Sequence, residues 1–254
     1  MMKHLKRGWR ALAAIRQPQA VISHVRKYYC VFSSLLLLAG PTLAAVNVST
    51  TRVVFESGVQ QKTVKLVNDG DYPVLVQSWI DDGNPLSTPD NAAHAFMVLP
   101  PVLKLLPGEQ RELRLMGTGA GLPADRESLF WLNVYQIPPE TKTAHTGEKV
   151  RLSLRTQLKV LWRPKGVGNP DEKSINLLSF FYESGVIYVK NNSKWNMTLT
   201  DLVMEDYSFG GIVVSPRGRQ AIFRINTPAL RNNKINFATL NDEGNKWGAS
   251  ATIE

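Results

Sequence analysis

From residue 46 onward, hydrophobic and polar positions alternate over short stretches that break at clusters of Gly, Pro, Asn and Asp. That is the period-2 signature of strands, and no long stretch carries the 3.6-residue period of a helix. Strands are predicted at residues 46–55, 62–68, 74–80, 95–99, 111–116, 129–137 and 150–162. Turn signals separate them at Asn68-Asp69-Gly70-Asp71, Asp81-Asp82-Gly83-Asn84-Pro85 and Pro107-Gly108-Glu109. Seven short strands in about 120 residues is the number and spacing of an immunoglobulin-like sandwich.

The run Arg163-Pro164-Lys165-Gly166-Val167-Gly168-Asn169-Pro170 interrupts the pattern. Two prolines and two glycines so close together cannot continue a central strand, so a linker is expected there. Beyond it, further strands are predicted at 177–181, 186–190, 197–204, 211–214, 221–225 and 234–239, with no internal repeat evident. The expected fold class is therefore all-β, with an immunoglobulin-like domain at 45–163 and a second β-sandwich at 164–254.

One segment stands apart. Even positions 150 to 162 read Val150, Leu152, Leu154, Thr156, Leu158, Val160 and Trp162. The odd positions read Arg151, Ser153, Arg155, Gln157, Lys159, Leu161 and Arg163. Strands usually run to about five or six residues, and this alternation is more than twice as long. Half of it belongs in a sandwich core. A long apolar strand at a sheet edge, however, invites pairing with another chain.

Charge changes the picture once it is located. The chain carries a formal +9, but seven of its 30 basic residues and none of its 21 acids lie in residues 1–44, so the remainder stands at +2. The basic start leads into the apolar run Val31-Phe32-Ser33-Ser34-Leu35-Leu36-Leu37-Leu38-Ala39 and then Thr42-Leu43-Ala44. This tripartite pattern predicts a secretory signal peptide at 1–44, cut before Ala45. The apolar run is well short of the ~20 residues that span a bilayer. No membrane-embedded segment and no nucleic-acid partner is therefore expected. Cys30 falls within the signal, so the exported chain would lack cysteine and both sandwiches would rest on apolar cores.

Candidate chemistry is sparse. Of four histidines, His4 and His24 leave with the signal, while His94 and His145 fall in predicted loops. There is no HExxH, no histidine–carboxylate spacing for a metal and no phosphate loop. Gly117-Thr118-Gly119-Ala120-Gly121 is glycine-dense, but no helical pattern follows to complete an anion site. No cofactor, no metal and no enzymatic activity is expected.

Several stretches carry a resemblance. They are Ala45-Val46 with Thr51-Arg52-Val53-Val54-Phe55, Pro100-Pro101-Val102 with Leu106-Pro107-Gly108, and Asp125-Arg126-Glu127-Ser128-Leu129-Phe130-Trp131-Leu132-Asn133-Val134 with Ile137-Pro138-Pro139. Lys159-Val160-Leu161-Trp162-Arg163-Pro164 and Asn226-Thr227-Pro228 with Asn241-Asp242 complete the set. In these the chain resembles the PapD-like periplasmic pilus chaperones of the chaperone–usher pathway. The resemblance implies two sandwiches set at an angle around a cleft. It implies pilus subunits as clients, bound by their C-terminal strand and exposed groove, and an outer-membrane usher as a second partner.

It also implies roles for particular residues. Arg52 and Lys159 match the two cations that hold the subunit's C-terminal carboxylate. Val150, Leu152 and Leu154 match the donated side chains that fill the subunit's groove, and parity sets them on the strand face opposite Lys159. Arg114, Glu127 and Asp242 match an interdomain salt-bridge network. The loop from Pro139 to Lys149 resembles that of the family's short-loop branch. The second domain matches less well, with Asn191-Asn192-Ser193 where relatives often carry proline. A secreted adhesin or pilus subunit is the main alternative, though a subunit needs an N-terminal donor extension and usually a cysteine pair. A secreted hydrolase on a β scaffold is the other, and the missing motifs disfavour it.

Overall fold

A computed structural model of the chain describes residues 46–56, 58–139, 153–204, 207–224 and 233–254. The first sandwich comprises β1 (Val46–Val48), β2 (Arg52–Phe55), β3 (Gln61–Asn68), β4 (Val74–Asp81), β5 (Phe96–Leu99), β6 (Val102–Leu105), β7 (Gln110–Gly117), β8 (Ser128–Ile137) and β9 (Leu154–Trp162). They form two sheets, ordered β1-β3-β7-β5 and β2-β9-β8-β4-β6. Alternate residues from both sheets meet in one core, including Phe55, Val64, Leu66, Leu113, Leu115, Leu132, Val134, Leu158 and Val160. Burying such side chains contributes roughly 1.5–3 kcal/mol each before ordering costs.

The second sandwich comprises β10 (Leu178–Glu183), β11 (Val186–Asn191), β12 (Met197–Met204), β13 (Tyr207–Phe209), β14 (Ile212–Val214), β15 (Arg219–Arg224), β16 (Lys234–Leu240) and β17 (Lys246–Thr252). Its sheets are β10-β11-β15 and β13-β12-β16-β17, with β14 also paired to β12. A separate core gathers Phe180, Ile187, Val189, Leu199, Leu202, Met204, Ile235 and Phe237.

One difference from the sequence expectation and one local packing feature bear on the site. The strand expected over 46–55 is two strands in different sheets: β1 pairs with β3, whereas β2 pairs in parallel with β9. The β-branched run looks continuous, yet Thr50 breaks it. Its hydroxyl donates to the Arg52 carbonyl at 2.8 Å and accepts from the Arg52 amide at 3.3 Å, offering the backbone a local alternative to the ladder. The glycine-dense stretch after β7 has a packing role. Gly119, at φ +65°, lies against the Trp162 indole, where an added Cβ would sit 2.2 Å from the ring.

One local motif does recur between the sandwiches. Asn68, at the end of β3, accepts from the Gly70 amide and donates to the carbonyls of Tyr72 and Leu105. Asn191, at the end of β11, accepts from the Ser193 amide and donates to the carbonyls of Trp195 and Val214. Both side chains are fully buried, and each satisfies a turn at the same i+2 and i+4 spacing. The proline-poor segment at Asn191-Asn192-Ser193 is thus a turn organised by its own asparagine.

Candidate functional site

The β2-β9-β8-β4 face that turns away from the first core carries polar and aromatic side chains in rows. Register sets Arg52 opposite Lys159, Lys159 opposite Trp131 and Trp131 opposite Asp81. The next row is Gln157, Asn133 and Trp79, and the one after it is Arg155, Tyr135 and Gln77. This is the odd-numbered face of β9, so the parity of the sequence does set Lys159 opposite the core positions Leu158 and Val160.

Arg52 is buried at 8 % exposure. Its Nη1 donates to the carbonyls of Asn241 at 2.6 Å and Leu240 at 3.4 Å, and its buried Nε has no hydrogen-bond partner. Burial pulls its pKa down, and Asp242, Glu127 and Glu243 act at longer range to raise it. Lys159 Nζ donates to Thr198 Oγ1 at 2.8 Å and stands 5.7 Å from the centre of the Trp131 ring. Burial, and then the neighbouring Arg52 charge, lower its pKa to about 8. Among the described residues neither cation forms a salt bridge; the oxygens they touch are neutral. Two adjacent, partly desolvated positive charges without a counter-ion make a site for an anion.

An open strand edge leads to this site. β8 covers one side of β9 from Leu154 to Trp162, but β2 covers the other only from Lys159 to Trp162. Among the described residues, no strand pairs with the β2-side edge of 154–158. Leu154 is 51 % exposed although it shares a face with Leu158, which is 2 % exposed. The core-facing row of β9 therefore runs out of the sandwich at its N-terminal end. Val150 and Leu152, the other expected donor residues, lie outside the described residues, as does most of the short loop before them.

The expected network of Arg114, Glu127 and Asp242 needs correction. Arg114 lies between the buried Leu113 and Leu115 on β7, so the pleat turns it to solvent. The cation that joins Glu127 to Asp242 is Arg163, whose side chain is 2 % exposed. Its Nε and Nη2 donate to Glu127 Oε2 at 3.0 and 2.7 Å, and its Nη1 and Nη2 to the Asp242 carboxylate at 2.7 and 3.0 Å. Glu127 Oε1 in turn accepts from the Asn196 backbone and side-chain amides, both at 3.0 Å. Arg163 sits one residue past β9, where alternation still gives it the odd face, and that parity was the available signal.

A second cluster carried no motif. Asp81, with its side chain wholly buried, accepts from Trp79 Nε1 at 3.1 Å, Gly83 N at 2.8 Å, Asn133 Nδ2 at 2.8 Å and Arg155 Nη2 at 3.0 Å. Arg155 also donates to Asn133 Oδ1 at 2.7 Å and to the Pro85 carbonyl at 2.8 Å, tying the open end of β9 to the loop after β4. Gly83 in that loop packs on the Trp131 indole, where a Cβ would approach to 2.6 Å.

Comparison with known proteins identifies the family. Residues 45–168 match the family described as pili and flagellar-assembly chaperone, PapD N-terminal domain. The chain is 36 % identical over 173 residues to the chaperone protein FimB/FhaD of Bordetella pertussis, covering 66 % of this chain and 71 % of that one. It is 31 % identical over 219 residues to the probable fimbrial chaperone protein ElfD of Escherichia coli O157:H7, covering 84 % and 90 % respectively. The crystal structure of the Pseudomonas aeruginosa CupB2 chaperone superposes with a TM-score of 0.68 at 26 % identity, over 82 % of this chain and all of that one.

Proposed function

The chain belongs to the PapD-like family of pilus-assembly chaperones, and from that premise we propose how it holds its clients. It is a periplasmic chaperone that binds pilus subunits and hands them to an outer-membrane usher. It acts by binding and has no enzymatic role. Residues 1–44 are an export signal, 45–163 the client-holding sandwich and 164–254 the second domain; the family match beginning at residue 45 supports the first boundary.

One observation carries the mechanism: Arg52 and Lys159 stand together without a counter-ion where the open edge of β9 meets β2. A subunit's C-terminal carboxylate at this point takes charge-assisted hydrogen bonds from both cations. The strand that ends there lies along the edge of 154–158, in line with β2 and therefore parallel to β9. Main-chain hydrogen bonds then supply affinity, as in other strand additions. The even face of β9 beyond Leu158, with Leu154 and the expected Leu152 and Val150, fills the subunit's groove. Arg163, Glu127 and Asp242 hold the two sandwiches in the relation this requires.

Co-expression with a pilus subunit tests the reading. A chaperone yields an equimolar soluble complex, and Arg52→Ala or Lys159→Ala leaves a folded protein that no longer protects the subunit. Normal subunit levels with both variants would overturn the carboxylate assignment. Polymerisation of the chain itself would instead favour an adhesin or subunit.

A further inference from the structure

We infer that Thr198, on the second sandwich, is a positioning residue for the subunit's carboxylate: its hydroxyl holds the Lys159 ammonium in place beside Arg52. The inference rests on the anchor described above and adds to it a residue from the other domain. On β12, Met197 and Leu199 turn into the second core, so Thr198 faces the first sandwich, where it is buried. Its Oγ1 accepts from Lys159 Nζ at 2.8 Å, while the Trp131 ring bounds the ammonium at 5.7 Å. A lysine head on a four-carbon stem has much rotamer freedom and three donors. One fixed acceptor removes part of that freedom before the client arrives and leaves donors for the carboxylate.

The chemistry of the acceptors supports the assignment. Toward Lys159 and Arg52 the second sandwich presents a hydroxyl and two backbone carbonyls, from Thr198, Asn241 and Leu240. It commits Asp242 to Arg163 instead. Neutral acceptors orient a cation without cancelling its charge, whereas a carboxylate at position 198 would compete with the client. The second sandwich thus prepares an anion site that it does not itself fill.

The test compares one soluble peptide as the free acid and as the C-terminal amide. It has about ten residues, the length of a long strand, alternating valine and threonine behind an N-terminal lysine pair. Affinities are measured for the wild-type protein, Thr198→Val and Thr198→Ser, with thermal melts alongside. The wild type is expected to prefer the free acid, Thr198→Val to lose about fivefold to tenfold of that preference with amide binding unchanged, and Thr198→Ser to restore it. Thr198→Ala replaces the valine variant if that one does not fold. A Thr198→Val protein that keeps the full preference, or weakens acid and amide alike, overturns the role of Thr198 while the anchor stands. A wild-type protein that does not prefer the acid overturns the anchor itself.

Discussion

Arg52 and Lys159 face each other across the parallel pair β2–β9, and Lys159 is held by a hydroxyl rather than a carboxylate. Like charges so placed oppose folding. Replacing Lys159 with Met should therefore raise the unfolding free energy of the free protein by about 1–3 kcal/mol, read from denaturant titration, since a pKa unit corresponds to about 1.4 kcal/mol and partial exposure screens part of the effect. The same change should remove roughly 2–5 kcal/mol of subunit binding. Arg52→Ala should also abolish binding but lower stability, because the carbonyls of Leu240 and Asn241 lose their donor. A Lys159→Met protein less stable than the wild type would refute the first half of this pairing.

The pH dependence follows from the direction of the Lys159 shift. Its pKa falls from 10.5 to about 8 in the folded protein, so between those values the unfolded chain binds more protons. Stability should accordingly rise as pH climbs from about 8 toward 10.5, with the penalty fully present below 8. Subunit binding runs the opposite way. A carboxylate beside the ammonium raises its pKa, so binding takes up a proton above pH 8 and affinity falls there, approaching about tenfold per pH unit. Between about pH 5 and 7 the affinity should be flat, since the ammonium stays charged and the carboxylate, with a pKa of about 3.5, stays ionised. Titration calorimetry in two buffers of different ionisation heat reads the proton uptake directly, and none at pH 9 would count against Lys159 as the anchor.

How much of this was legible beforehand depends on which signal each residue carried. Strands such as β4, β7, β8 and β12 were visible because alternate large apolar residues face a core, and parity alone gave the face of Lys159, not its register. The last strand, Lys246–Thr252, was missed because two of its three inward positions are the small residues Ala249 and Ala251, beside Trp247, and Gly248 stands on its outer face. β6 was missed behind Pro100-Pro101, where proline argued against a strand. Arg52 and Lys159 lie in short contiguous matches, and the structure brings them side by side across β2–β9. The Arg163 network was misassigned because parity turns both Arg114 and Arg163 away from the core, and only three-dimensional pairing selects the arginine that meets Glu127 and Asp242. The Asp81–Arg155 cluster joins residues more than seventy positions apart. No spacing announces such a contact.

Arg163 offers a test of whether the interdomain network serves stability or geometry. Arg163→Met should destabilise by about 3–5 kcal/mol, because Glu127 is left buried without its partner. Adding Glu127→Met should recover much of that loss, since apolar replacement of a buried pair is often neutral. If the network sets the relation of the sandwiches, the recovered double variant should still bind subunits poorly. Full subunit binding by a stable double variant would reduce the network to a structural role.

Leu154 and Leu158 occupy the same face of β9 four residues apart, at 51 % and 2 % exposure, so substitutions there test the proposed donor end against the core end of one strand. Leu158→Ala should cost about 2–5 kcal/mol of folding stability, as for other buried leucines. Leu154→Ser should stay within about 0.5 kcal/mol of the wild type, because surface substitutions usually do. Subunit capture should reverse the order relative to stability. Under the proposed role, Leu154→Ser removes one groove-filling side chain, and Leu152→Ser added to it removes a second. The double variant should therefore melt close to the wild type yet fail to hold subunits. If its melting temperature collapses instead, this end of the strand is packed in the free protein, and the groove-filling role passes to other residues.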